Sequence, residues 1–345
     1  MKLTILNVAY PLAAVRPDTA GGAEQIVARL DAALVAAGHR SLVVACESSS
    51  VAGELIATPR PGNVLDDETQ RKAQEQHRIA IEAVLRRRRV DLIHFHGVDF
   101  DRYLPPPGPP VLATLHMPLA WYSPRALSPD RPKTDLHCVS RSQQRAALPG
   151  TAFLPPIENG VEVDSLALQI RKRRFAFALG RICPEKGLHL AIDAARRAKT
   201  PLLLAGQLFP YPDHARYFRE ALAPRLEGEG VRLLGPIDFE RKRRLLTAAR
   251  CLLVPSLAAE TSSLVAMEAL ACGTPVIAFR VGALPEIIEE GQSGFLVDSV
   301  EEMAEAIEAV ETIDPRHCRE IARERFSASM MAARYLALYE RLARS

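Results

Sequence analysis

Residues 260–279 read ETSSLVAMEALACGTPVIAF, and the fold is decided in this stretch. The spacing predicts a helix over 262–272 followed by a buried strand over 274–279. Glu260 and Glu268 are separated by seven residues and bracket the small-residue opening of that helix. Thr261, Ser262 and Ser263 offer hydroxyls that can cap backbone N–H groups at the helix entrance. Those N–H groups, with the positive end of the helix dipole, make a seat for a diphosphate. At about 1.5 Å rise per residue, Glu268 is expected two turns beyond Glu260, deeper along the same helix. A ligand with hydroxyls at both ends and phosphates between them suits that arrangement.

Outward from this stretch, apolar β-rich runs alternate with helical patterns along the whole chain. In the first half the expected strands are 2–8, 41–46, 91–96, 110–115, 135–139 and 151–154, with helices 22–38 and 67–89 among them. The second half starts again with strands at 175–180, 201–206, 231–235, 251–256 and 274–279, separated by helices 186–198, 215–227, 240–249 and 262–272. The fold class is therefore α/β, with two doubly wound, Rossmann-like domains. Their expected extents are 1–165 and 166–327, with a linker around 160–172. Ligands in such sheets bind beyond the C-terminal strand ends, so a cleft between the domains is the expected site.

A chain of 345 residues fits two domains, and its 48% hydrophobic and 25% charged residues belong to a globular protein. A net charge of +3 argues against nucleic acid as a partner. The six cysteines contain no Cys-x-x-Cys pair; they read as reduced core residues of a cytoplasmic protein, with zinc not expected. No apolar run reaches the ~18 residues of a membrane span, and MKLTILNVAYPL reads as a first strand rather than a signal peptide. Arg86–Arg89 and the RKRR run 241–244 read as solvated helix ends. Peripheral contact with an anionic membrane at its inner face is the alternative.

The loops after the strands carry the chemistry. Gly180-Arg181-Ile182-Cys183-Pro184-Glu185-Lys186-Gly187 follows a strand and opens a helix, bringing two cations to one turn. Arg181 can grip phosphate through two parallel N–H bonds, and Lys186 supplies a compact point charge. Gly21-Gly22-Ala23-Glu24 follows the first strand, where two glycines let backbone N–H groups approach a phosphate. Glu24 either touches a ligand or caps the helix. His116 ends the strand VLATLH, while His94 and His96 alternate with Phe95 and share one strand face. No carboxylate or cysteine cluster completes a metal site with that pair, so a structural or acceptor-side role is expected. Ser140 either shapes a pocket or caps the following helix. Gln207, Leu208 and Phe209, with Ile237, follow strands on the side expected for a nucleotide base. Trp121 and Tyr122 line an acceptor pocket or pack at its rim.

The Glu-x7-Glu pair followed by ALACGTPVIA, with GRICPEKG and GGAE upstream, resembles the retaining glycosyltransferases of family 4 (glycosyl transferases group 1). The resemblance implies the GT-B fold, two Rossmann-like domains facing a central cleft, with helix 328–345 returning to pack on the first. It implies that Glu260 contacts hydroxyls of a donor sugar, Glu268 binds the ribose, and the backbone of Thr261, Ser262, Ser263, Leu264 and Val265 approaches the phosphates. Arg181 and Lys186 would stabilise the leaving diphosphate, Gly21 and Gly22 would face the donor phosphate, and His116 would lie beside the sugar. Asn159-Gly160-Val161 matches the element that precedes the interdomain linker. Ser262-Ser263 stands where the family often has Phe-Gly, which leaves the donor sugar open.

The implied reaction moves a hexosyl group from a nucleotide sugar, UDP-linked before GDP-linked, to a hydroxyl on a glycan, a lipid-linked sugar or a small metabolite. The implied acceptor-side residues are Glu24, His96, Trp121 and Ser140. No cofactor is expected. The donor half holds no Asp-x-Asp beside a strand end, so no divalent metal is expected either. A nicotinamide oxidoreductase would need a G-x-G-x-x-G turn after the first strand, which this chain lacks. The competing reading is a catalytically silent GT-B-like nucleotide-binding scaffold.

Overall fold

Twelve short apolar runs become parallel strands, most of them buried on both faces, as a sheet covered by helices on each side requires. The computed structural model describes residues 2–19, 21–60 and 66–344. Contacts divide the chain into two compact units, Met1–Asn159 with Ser329–Ser345, and Gly160–Ala328. The first unit holds β1 (Thr4–Val8), β2 (Arg40–Cys46), β3 (Glu54–Thr58), β4 (Leu92–Phe95), β5 (Val111–Leu115) and β6 (Thr134–Cys138). They pair in the order β3-β2-β1-β4-β5-β6, all parallel. The second unit holds β7 (Ala176–Leu179), β8 (Leu202–Ala205), β9 (Val231–Leu233), β10 (Cys251–Val254), β11 (Val276–Phe279) and β12 (Gly294–Val297). Their order is β12-β11-β10-β7-β8-β9, again all parallel.

Each order reverses once, between β1 and β4 in the first sheet and between β7 and β10 in the second. At such a switch point the loops leaving the two central strands diverge and open a crevice. In the second unit those are the loops after β7 and β10, which carry Arg181, Lys186 and Glu260. This topology, two six-stranded parallel α/β sheets, is that of the GT-B fold.

Several expectations need correction. The run 151–154 makes only a single bridge, Leu154 to His137, since the prolines that follow cannot donate to a ladder. The helix expected over 262–272 spans Leu264–Ala271, so Glu260 lies on the loop before it and not on the helix. The expected helix 215–227 is divided into Pro212–Tyr217, a wider turn at Phe218–Leu222, and Ala223–Leu226, next to Pro224 with its missing N–H. Edge strands β3 and β12 and the helices Val300–Ala309 and Pro315–Arg325 were not anticipated. β3 is mostly half-exposed and lacks the continuous apolar run that marks the central strands. Among the described residues no helix is long and apolar enough to cross a membrane.

Candidate functional site

In the second unit, β7 runs into Gly180, and a single helical turn at Pro184–Lys186 leads to Gly187. Gly187 has φ 57°, and a Cβ placed there would lie 2.1 Å from the carbonyl oxygen of Pro255. Only glycine satisfies both the left-handed backbone and this close approach to the loop after β10. The Leu257 N–H donates to the Glu185 carbonyl at 2.8 Å, tying the two loops together. Gly282, φ 56°, does the same for Glu260: a Cβ there would stand 2.3 Å from the Glu260 carbonyl oxygen.

So held, Glu260 meets Lys186, whose Nζ donates to Oε1 at 2.5 Å. The hydroxyl of Ser256, a fully buried residue, donates to the same oxygen. The two charged side chains are 26% and 11% exposed, so the pair is sheltered but still reachable from solvent. Arg181 lies half-buried in the same turn, and among the described residues its guanidinium takes no hydrogen-bond or ion-pair partner, while its carbonyl accepts from the Cys183 thiol. Ser263 occupies the N-cap of helix Leu264–Ala271, yet its side chain makes no capping bond. The cap expected of the Ser263 hydroxyl is therefore not formed. The Ser262 hydroxyl is buried without a hydrogen-bond partner. A guanidinium on the loop after β7, and an orphaned hydroxyl and an uncapped helix N-terminus on the loop after β10, are groups suited to a polyanion, and the Lys186–Glu260 contact ties the two loops together.

Glu268 is buried on that helix and separate from the Lys186–Glu260 pair. Lys242 Nζ donates to its Oε1 at 2.6 Å, the side chains being 15% and 5% exposed. The ammonium also lies 5.6 Å from the Phe239 ring centroid. This corrects the reading of 241–244 as a wholly solvated helix end. Arg243 is likewise engaged, donating to Glu240 and to the Ser165 carbonyl. Gln207, Leu208 and Phe209 follow β8, with the Gln207 carbonyl accepting from the Ile182 N–H at 3.0 Å. Leu208 is exposed, and Ile237 is half-buried against the core.

In the first unit, Gly21 is the N-cap of helix Gly22–Ala36 and has no side chain to cap it. Buried Glu24 folds back over it, its Oε2 only 1.9 Å from where a Gly21 Cβ would stand. His116, just past β5, stacks on His96, with ring centroids 5.3 Å apart and Nε2 3.0 Å from His96 Nδ1. Burial pushes His116 down to about 3 and holds His96 well below the ordinary imidazole range, so both rings are neutral. One of the two facing nitrogens therefore carries a proton and the other does not. His96 Nε2 is buried without a partner.

The neighbouring network can be assigned proton by proton. His137 Nδ1 lies 3.0 Å from the Cys138 carbonyl, which can only accept, so that nitrogen is protonated. Burial lowers His137 to about 4, and its Nε2 therefore accepts from the Thr114 hydroxyl at 2.7 Å. With the Thr114 proton committed, His94 Nε2 and the Tyr335 hydroxyl donate to Thr114 Oγ1, at 2.6 and 3.2 Å. His94 Nδ1 is then the acceptor for the Tyr339 hydroxyl at 2.7 Å. Five side chains thus lock the C-terminal helix Ala328–Leu342 to β4, β5 and β6.

The other acceptor-side candidates are not brought into one described contact. Trp121 is 54% exposed while Tyr122 is buried and its hydroxyl accepts from the Met117 N–H. Ser140 caps helix Arg141–Arg145 by accepting from the Gln143 N–H at 3.2 Å. Sequence reading missed Ser256, Lys242, Thr114, His137, Tyr335 and Tyr339. Only the RKRR run gave a signal, and its pattern does not say which cation turns inward.

Comparison with known proteins adds family information to this geometry. Residues 173–312 match the profile described as "Glycosyl transferases group 1", and residues 20–147 that described as "Glycosyltransferase Family 4". A D-inositol 3-phosphate glycosyltransferase of Mycobacterium sp. (strain KMS) is 35% identical over 199 residues, 55% of this chain and 44% of the relative. The chain thus spans less than half the length of that curated relative. Sucrose-phosphate synthase from Thermosynechococcus elongatus superposes with a TM-score of 0.80 at 23% identity, covering 100% of both chains. Anabaena HepE, solved in complex with UDP-glucose, gives a TM-score of 0.68 at 20% identity, covering 97% of this chain and 99% of its own.

Proposed function

Because the chain belongs to glycosyltransferase family 4, we propose that it moves a hexosyl group from a nucleoside diphosphate sugar to a hydroxyl acceptor, with retention at the anomeric carbon. The observation that carries this reading is the Glu260–Lys186–Ser256 contact, which joins the loop that carries Arg181 to the one that leads into the uncapped helix Leu264–Ala271. Arg181, Lys186 and the backbone amides at 262–265 take the diphosphate. As the glycosidic C–O bond breaks, negative charge grows on the leaving phosphate, and these fixed donors stabilise it most at that point. Glu260, held by Lys186 and Ser256, presents a carboxylate that accepts from hydroxyls of the donor sugar. Glu268 accepts from the ribose hydroxyls. His116, a neutral imidazole, is assigned polar contact near the anomeric carbon.

In this scheme the acceptor oxygen attacks from the face that the diphosphate leaves, and a phosphate oxygen takes the acceptor's proton. Two cationic side chains meet the diphosphate, so the transfer step itself calls on no divalent ion. UDP is the preferred nucleotide, supported by the UDP-glucose bound to the HepE fold neighbour. The relative that acts on an inositol phosphate supports a small polyol-type acceptor. Binding of the acceptor is assigned to the N-terminal unit. Six buried, unpaired cysteines support a reducing, cytoplasmic setting.

The test is a thermal-shift panel with UDP, GDP, ADP and NAD on the full chain and on Glu268→Ala. A selective rise with one nucleoside diphosphate, lost in the variant, is expected. Transfer from the matching sugar nucleotide should then be detected by release of that diphosphate. A well-folded sample that responds to none of the four would overturn the donor-site assignment.

A further inference from the structure

We propose that Cys183, Glu185 and His214 form a binding site for a borderline transition-metal ion, Zn2+ before others, at the foot of the turn that carries Lys186. The Cys183 Sγ, a Glu185 carboxylate oxygen and a His214 ring nitrogen all lie within 4.8 Å of one another. Around tetrahedral Zn2+, with metal–ligand bonds of about 2.0–2.3 Å, neighbouring donors stand roughly 3.3–3.8 Å apart. The donors therefore need to close by about 1 Å to surround such an ion.

The three donors come from two elements that fix them separately. Cys183 and Glu185 flank Pro184 at the start of the turn Pro184–Lys186, and two backbone N–H groups from the next loop donate to the Glu185 carbonyl. His214 sits in helix Pro212–Tyr217, its ring edge-on to Tyr211 at 5.0 Å. An independent observation points to a ligand. His214 Nδ1 is buried and has no hydrogen-bond partner, although most buried ring nitrogens find one. The buried Cys183 thiol lies 3.7 Å from the Arg181 carbonyl and hydrogen-bonds the Glu185 carboxylate, a bond that shared ligation would replace.

The donor set chooses the metal. One thiolate, one imidazole and one carboxylate suit Zn2+ or Co2+, whereas Mg2+ and Ca2+ take oxygen ligands. Thiolate and carboxylate together balance the dication, and water completes the fourth position. On binding, the metal–sulfur bond replaces the Cys183 S–H bond and the proton leaves to solvent. The ion then cross-links the 181–187 turn to helix Pro212–Tyr217. Its role is to brace the turn, apart from the diphosphate chemistry, and the assignment does not depend on the sugar-transfer reading. A search for Cys-x-x-Cys spacing could not find it, because the third ligand arrives from a different element.

The experiment uses the full chain, freed of metal by a chelator and titrated first with Co2+ and then with Zn2+. One equivalent of Co2+ should produce a thiolate-to-cobalt charge-transfer band in the near-ultraviolet, which Zn2+ abolishes by displacement. Zn2+ should also raise the melting temperature. Cys183→Ser should remove the band, and His214→Gln should weaken Zn2+ binding by about tenfold or more. His214 is only partly buried, so its variant keeps the test open if Cys183→Ser does not fold. Absence of the charge-transfer band in the parent protein, or a Zn2+ affinity that His214→Gln leaves within about twofold, would overturn the site. UDP binding is measured on the same samples, so failure of the donor site would show separately.

Discussion

Replacing Lys242 with methionine tests whether Glu268 owes its buried position to that one ammonium. The Lys242–Glu268 pair is 2.6 Å long, with the two side chains 15% and 5% exposed. Methionine keeps an apolar stem to pack near Phe239 and removes only the charge. Breaking a fully buried pair by deleting one partner costs about 3–5 kcal/mol, most of it from the charge left behind. Some water reaches this pair, so the expected loss is about 2–3 kcal/mol. For a domain of this size that is roughly 4–12 °C in melting temperature. Glu268→Gln alone should cost a similar amount, because it strands the ammonium. The double variant should cost less than the sum by about 1.5–3 kcal/mol, since neither charge then remains. Urea unfolding of all four proteins closes the cycle. Additive costs, or a Lys242→Met variant within about 0.5 kcal/mol of the parent, would refute the inference that the pair is a unit. In the same variant UDP affinity should fall, because the carboxylate assigned to the ribose loses its anchor.

Thr114→Val is isosteric but strands the His94 donor, the Tyr335 donor and the His137 acceptor together. It should cost about 3–5 kcal/mol in urea unfolding, more than Tyr339→Phe, and the reverse ranking would contradict the proton assignment. Gly187→Ala places a methyl 2.1 Å from the Pro255 carbonyl in a left-handed backbone, for an expected loss of about 2–4 kcal/mol. A melting temperature equal to the parent's would count against the tight loop contact. Acid should destabilise the first unit through His77, His116 and His137, lowered by burial to about 4, 3 and 4. Native rings stay neutral while unfolded ones protonate below about 6.5, so stability is full above that pH and falls toward the native values. The slope should approach about 1.4 kcal/mol per pH unit for each ring, and equal unfolding free energies at pH 7.5 and 5 would sink this account. Arg181→Ala should reduce turnover by about 100-fold or more with little change in melting temperature. Unchanged turnover would remove the phosphate-clamp role.

By itself the sequence determined the α/β architecture, because fully buried parallel strands need continuous apolar runs and their helices need apolar stripes. It also marked Gly180, Arg181, Lys186, Gly187 and Glu260, since tight turns demand glycine and an anion seat demands cations near a helix start. The half-exposed edge strand β3 left no such pattern, and an isolated apolar run at 151–154 imitated one. Tertiary structure alone decided what each charge touches. Glu260 sits before its helix and not on it, Lys242 turns inward from a run of four similar cations, and Glu24 folds back on Gly21. The locked tautomers of His94 and His137 depend on a tyrosine pair from the far end of the chain. Strand and helix periodicity are short-range, so neighbouring residues write them. Side-chain pairing depends on distances between elements far apart in sequence, which periodicity does not encode.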